Sequence, residues 1–96
     1  MKIVSDHEAA LRVYYTYPEI GNKEICMIYG PTPKSTLSVM KRKVRDLQVE
    51  RGVPTIGYYT VNTKLAYEAW GIDVEAIEKN LLKLRKLGIT NVREET

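Results

Sequence analysis

Apolar residues recur at helical spacing in two long stretches of the chain. Between residues 34 and 50 they fall three, four and three positions apart, at Leu37, Met40, Val44 and Leu47. The same spacing returns near the C-terminus at Val74, Ile77, Leu81 and Leu84. At about 100° per residue, each set forms one stripe along a helix, and such a stripe packs against a core. The pattern therefore predicts two amphipathic helices.

Capping residues predict where these helices begin and end. Thr32 is placed to cap the first long helix, with Pro33 at its first position and Gly52 beyond its end. Asp73 is placed to cap the last helix, which is predicted to run to Leu87. The sequence thus favours a helix to about residue 50 and another from residue 74.

Three shorter segments also show helix signals. Lys23 to Tyr29 follows Gly21-Asn22 and ends at Gly30, and Thr63 is placed to cap a helix over 64–70. Near the N-terminus, Ser5-Asp6-His7-Glu8 has the form of a capping box, in which Ser and Glu satisfy reciprocal backbone donors. The β-branched and aromatic residues over 13–17 leave both helix and strand open there.

Between the long helix and residue 63, β-forming residues alternate around Gly57. This pattern predicts a very short hairpin in which Thr55-Ile56 pairs with Tyr59-Thr60 across a Gly57-Tyr58 turn. Because adjacent strand residues point to opposite faces, one of Tyr58 and Tyr59 is expected to pack inward. The whole chain is then one mainly α domain, residues 1–96, with a small β-hairpin.

Composition narrows the class of protein. The chain has 96 residues, of which 44% are hydrophobic and 28% charged, as in ordinary globular domains. It contains one Cys and one His, whereas a zinc site usually takes three or four such ligands, so no metal or other cofactor is predicted. No apolar run approaches the length of a membrane span. We therefore expect a soluble, cytoplasmic protein that does not contact membranes.

The net charge of +3 is concentrated in one segment. Residues 31–51 carry six basic and two acidic side chains, a net of +4, whereas residues 1–30 have a net of −1 and residues 52–96 a net of zero. On the predicted helix, the side opposite the apolar stripe carries Ser35, Ser38, Arg42 and Arg45, flanked by Lys34 and Lys41. A confined basic surface is typical of a polyanion-binding site, although it is also compatible with an ordinary solvated helix face.

The order of these elements resembles a known class of protein. GNKEICMIYG would form a short helix, PTPKSTLSVMKRKVRDLQVERG a turn and a long basic helix, and VPTIGYYTVN a β-ribbon. From Asn22 to Asp73, with VNTKLAYEAWGID after the ribbon, the chain resembles small winged helix-turn-helix DNA-binding proteins of phages and mobile elements, including excisionase-like proteins and phage regulators. The resemblance covers about half of the chain.

This resemblance implies sequence-specific binding of double-stranded DNA. The residues implied as base readers, at the start of the basic helix, are Lys34, Ser35, Thr36 and Ser38. Those implied as contacts to the DNA backbone are Lys41, Arg42 and Arg45. Tyr58 or Tyr59, on the ribbon that would be the wing, would touch an adjacent groove or phosphate. The protein would act as a transcriptional regulator or an excisionase-like factor.

Other functions remain open from the sequence. No paired carboxylates or nucleophile and base stand out, so an enzyme is not expected. A DNA-packaging or replication accessory protein would use a similar module. A protein-protein interaction domain would instead use the C-terminal helix, whose stripe could also form a homodimer if it is not needed to cover the core.

Overall fold

Five helices and a two-stranded sheet make up the computed structural model of the chain, which describes residues 4–87. In chain order, the elements are α1 His7–Thr16, β1 Glu19–Ile20, α2 Asn22–Tyr29, α3 Lys34–Arg51, β2 Val61–Asn62, α4 Thr63–Trp70 and α5 Val74–Lys86. The prediction of a mainly α protein is confirmed, and its β structure is one two-stranded antiparallel sheet. The last helix, predicted to run to Leu87, ends at Lys86.

The N-terminal segment over 13–17, left open above, belongs to a helix. Asp6 rather than Ser5 caps α1, because the Asp6 carboxylate accepts a hydrogen bond from the Ala9 amide at 3.0 Å. Ser5 instead donates its hydroxyl to the carbonyl of Ile28, at the end of α2, at 3.1 Å. The predicted capping box is therefore wrong, and Ser5 joins two helices instead.

The predicted N-caps of α3 and α4, both threonines, are also one residue away from the observed caps. Pro33, not Thr32, precedes α3, and the Thr32 hydroxyl donates to the Gly30 carbonyl at 2.9 Å. Asn62 caps α4 by accepting from the Leu65 amide at 3.0 Å, while Thr63 donates its hydroxyl to the Tyr17 carbonyl. The predicted cap of α5, Asp73, is confirmed, and α3 ends at Gly52, which adopts the left-handed conformation that suits glycine.

One apolar cluster joins all five helices. Its fully or nearly fully buried members include Val13 of α1, Ile25 of α2, Val44 of α3, Trp70 of α4 and Ile77 of α5. On α3 the predicted stripe is confirmed at Leu37, Met40 and Val44, whereas Leu47 is only half-buried.

The predicted hairpin is wrong. Within residues 53–60 there is no strand, and the sheet instead pairs β1 with β2 in antiparallel register, with Glu19 opposite Asn62 and Ile20 opposite Val61. Two-residue strands joined by a tight turn are marginal in water, whereas the observed pairing buries Ile20 and Val61 completely. Residues 53–60, hereafter the 53–60 loop, therefore run from α3 to β2 without pairing to themselves.

Candidate nucleic-acid interface

The outer face of α3 carries four of the nine predicted site residues. Lys34, Ser35, Ser38 and Arg42 are all exposed, because they lie away from the stripe that α3 buries. Thr36 is half-buried at the edge of this face. Asp46, one turn beyond Arg42, is also exposed there, so the face is not purely basic.

Lys41 does not flank the exposed face of α3 as predicted. Its side chain is buried, with 8% of the residue exposed, and its ammonium Nζ reaches the backbone carbonyl of Tyr59 at 3.4 Å. Desolvation, together with the nearby positive charge of Arg45, lowers the pKa of Lys41. The placement of Lys41 beside the exposed face is thus wrong, because position 41 is on the turn of α3 that the 53–60 loop covers.

Arg45 joins α3 to the same loop. It is half-buried, and its guanidinium Nη2 donates to the carbonyl of Tyr58 at 3.3 Å. Lys41 and Arg45 are one turn apart and bind consecutive carbonyls of the loop. The structure therefore brings the predicted Tyr58 and Tyr59 next to the basic helix through their backbone.

The side chains of Tyr58 and Tyr59 both point to solvent. They are 84% and 73% exposed, and their rings meet edge to face with centroids 4.6 Å apart. Ile56, on the same loop, is 88% exposed. The prediction that one tyrosine packs inward is wrong, because the strand alternation on which it rested does not exist. The loop instead exposes three large side chains.

Two polar residues that the sequence analysis did not single out hold the loop in place. Glu19 of β1 accepts hydrogen bonds from the backbone amides of Ile56 and Gly57 at 2.6 and 2.8 Å, and from the hydroxyl of Thr60. Burial acts to raise the pKa of the Glu19 carboxyl, but the hydrogen bonds from Thr60, Ile56 and Gly57 outweigh it and bring this pKa below its usual value. Glu19 is therefore an ionised acceptor at neutral pH.

Gln48, which is almost completely buried, binds the start of the loop and the strand β2 that follows the loop. Its amide nitrogen donates to the Val53 carbonyl at 3.2 Å and to the Thr55 hydroxyl at 2.7 Å. Its amide oxygen accepts from the backbone of Asn62 at 2.9 Å. Residue 48 continues the buried side of α3 one turn after Val44, but a glutamine in that position gives no sequence signal for a loop contact.

The chain matches no protein-family model, no curated protein and no solved structure. Across residues 4–87, no helix is long and apolar enough to cross a membrane. In that same range, no three His, Cys, Asp or Glu side chains lie together as metal ligands would.

Proposed function

We propose that this protein binds double-stranded DNA as a winged helix-turn-helix module, with α2 and α3 as the helix pair and the 53–60 loop as the wing. The observation that carries this proposal is the joining of a basic helix face to an exposed aromatic loop through Arg45. A helix of this kind fits the major groove, while a loop beside it reaches the flanking backbone or groove.

The side chains take different roles in this proposal. Lys34, Ser35 and Ser38, in the first turns of α3, read base edges, and Arg42 contacts a phosphate. Arg45 keeps its loop contact and adds positive charge near the DNA backbone. Tyr58 and Tyr59 pack on the sugar-phosphate backbone or in the neighbouring groove, because their rings are free of the core.

The resemblance of residues 22–73 to phage and mobile-element proteins supports a narrower proposal. The protein would be a transcriptional regulator or an excisionase-like factor of such an element, acting in the cytoplasm without a catalytic role. A DNA-packaging or replication accessory protein would use the same surface. The bound sequence and its place in the element's DNA distinguish these roles.

Selection of duplexes from a random pool tests the proposal directly. We expect one preferred motif for the parent chain. Ser35→Ala and Ser38→Ala should each change the preferred bases, with a smaller effect on total affinity, because base contacts specify and phosphate contacts position. Thr16→Ala, at the exposed end of α1, is the matched loss of a hydroxyl and should change neither. Enrichment of no motif, or equal loss on all sequences, would contradict this assignment.

A second candidate function uses α5. Leu82 and Leu87 are exposed, which is compatible with a protein partner or a second copy of the chain. Val74 and Leu81, in contrast, pack against the core cluster. The stripe of α5 is thus largely used within the chain, which favours DNA binding as the main proposal.

The substitution Leu81→Asp separates the two uses of α5. We expect it to lower the free energy of unfolding by about 2 kcal/mol or more, because it places an unpaired charge against the core. Leu82→Asp, on the exposed side of the same turn, should leave the fold intact. Urea denaturation followed by circular dichroism measures stability, and sedimentation measures mass. A folded Leu81→Asp variant that changes from dimer to monomer would instead identify a self-association surface.

A further inference from the structure

The conformation of the 53–60 loop depends on a residue far away in the sequence. Glu19 lies 37 positions before Ile56, outside both the helix pair and the loop. One of its carboxylate oxygens, Oε2, accepts from the Ile56 amide, and the other, Oε1, accepts from Gly57 and Thr60. A single ionised side chain therefore binds three donors of one turn, and hydrogen bonds to a charged acceptor are the stronger kind.

Gly57 shows how closely this turn is fitted to the carboxylate. A Cβ atom at position 57 would lie 2.2 Å from the Thr60 hydroxyl oxygen and 3.2 Å from Oε1 of Glu19. No side chain fits in that space unless the Thr60 and Glu19 contacts shift. A larger residue at position 57 would therefore disturb the contact between Thr60 and Glu19.

Two carbonyl groups of the loop are bound by basic residues of α3. Arg45 donates to the Tyr58 carbonyl and Lys41 to the Tyr59 carbonyl. The loop backbone is thus bound by an acidic residue through its amides and by basic residues through its carbonyls. These contacts hold the backbone of residues 56–59 against the protein, while the rings of Tyr58 and Tyr59 stay exposed to a ligand.

We propose that Glu19 is a positioning residue for DNA recognition, which orders the 53–60 loop so that Tyr58 and Tyr59 meet DNA in a fixed arrangement beside α3. This inference rests on the proposed function. Glu19 need not touch DNA, since its carboxylate is engaged by the loop. A loop that is already ordered loses less conformational entropy on binding than a mobile one, so Glu19 strengthens binding indirectly.

The substitution Glu19→Gln has opposite expected effects on DNA affinity, depending on whether the charge of Glu19 or its contacts to the loop matter more. Removal of a negative charge from a DNA-binding protein strengthens binding through Coulomb attraction alone. The amide, however, replaces one acceptor oxygen by an NH₂ group and cannot satisfy all three donors. We expect weaker binding, by about 10-fold, a size typical of ordering costs at an interface. Glu75→Gln makes the same chemical change at an exposed position of α5, outside the proposed interface, and should bind equally well or slightly more tightly.

A double-mutant cycle tests whether Glu19 acts through the tyrosines. Affinity is measured by fluorescence anisotropy on one selected duplex for the parent, for Glu19→Gln, for Tyr58→Ser with Tyr59→Ser, and for all three changes together. We expect Glu19→Gln to weaken binding by about 10-fold in the parent and less than about 2-fold without the tyrosines, because coupled residues are not additive. A merely structural role would give the same loss in both backgrounds and would overturn the proposal.

Amide hydrogen exchange gives a readout that needs no DNA. The Ile56 and Gly57 amides should exchange slowly in the parent and faster in Glu19→Gln, while the amides of α4 stay unchanged. Unchanged affinity or stronger binding of Glu19→Gln, with a parent that binds DNA, would refute the positioning role alone. A folded parent that binds no duplex would refute the proposed function and this inference together.

Discussion

Simultaneous replacement of Lys34, Arg42 and Arg45 by alanine should weaken duplex binding by about 100-fold or more at low salt, and should flatten its salt dependence. Six basic residues lie within 31–51, but Lys41 is buried and Arg51 forms an ion pair with Glu68. The four that remain are Lys34, Arg42, Lys43 and Arg45. At about −0.9 per neutralised phosphate, four contacts give a log-log salt slope of roughly −3 to −4 for the parent and about −1 for the variant.

A triple replacement on α5 is the matched control for this experiment. Lys79→Ala, Lys83→Ala and Lys86→Ala remove the same charge from exposed positions of a helix outside the proposed interface. We expect the slope of this variant, measured by fluorescence anisotropy on one duplex, to equal that of the parent. If the α5 triple flattens the slope and the α3 triple does not, α5 is the DNA-binding helix and the helix-turn-helix assignment is wrong. Circular dichroism confirms that both variants are folded.

The helices of this protein follow from its sequence because their signals are local. The spacing of Leu37, Met40 and Val44 predicts α3, and Asp73 marks the start of α5. Such signals depend on neighbours within one or two turns, and the packed protein preserves them. The exposed positions of Ser35, Ser38 and Arg42 follow from the same periodicity, so most of the candidate face on α3 could be predicted.

The caps show where a local signal becomes ambiguous. At each shifted N-terminus, adjacent residues both carry features of a helix start, as in Ser5-Asp6 and Asn62-Thr63. At these two helix starts, the residue that does not cap the helix makes a distant contact instead. Ser5 binds the Ile28 carbonyl and Thr63 binds the Tyr17 carbonyl, so the neighbouring residue is the one that caps the helix. The spacing of residues around the helix start gives no information about these distant partners.

The sheet and the 53–60 loop could not be predicted because their determinants are far apart in the chain. A short alternating segment favours a hairpin locally, but Val61 pairs with Ile20 instead. The carboxylate of Glu19 takes up the amides of Ile56 and Gly57, and a buried Lys41 takes up a loop carbonyl. The contacts that shape the loop half of the candidate site therefore could not be predicted from the sequence.

The largest effect on stability should come from Trp70→Ala. The indole of Trp70 lies between α3 and the rest of the core, with its Nε1 donating to the Met40 carbonyl at 3.1 Å and its ring 6.0 Å from that of Tyr29, edge to face. Loss of a buried Trp typically costs about 3–5 kcal/mol, while a domain of this size is stable by about 5–10 kcal/mol. We expect a variant that is much less stable to urea and heat, as measured by circular dichroism.

Tyr58→Ala is the matched control, because it also removes an aromatic side chain but from an exposed position. Its free energy of unfolding should stay within about 0.5 kcal/mol of the parent, as is usual for surface substitutions. Its DNA affinity should nevertheless fall if the loop belongs to the interface, so the two aromatic residues separate folding from binding. A Trp70→Ala variant with the melting temperature of the parent would mean that contacts other than the indole hold α3 against α4.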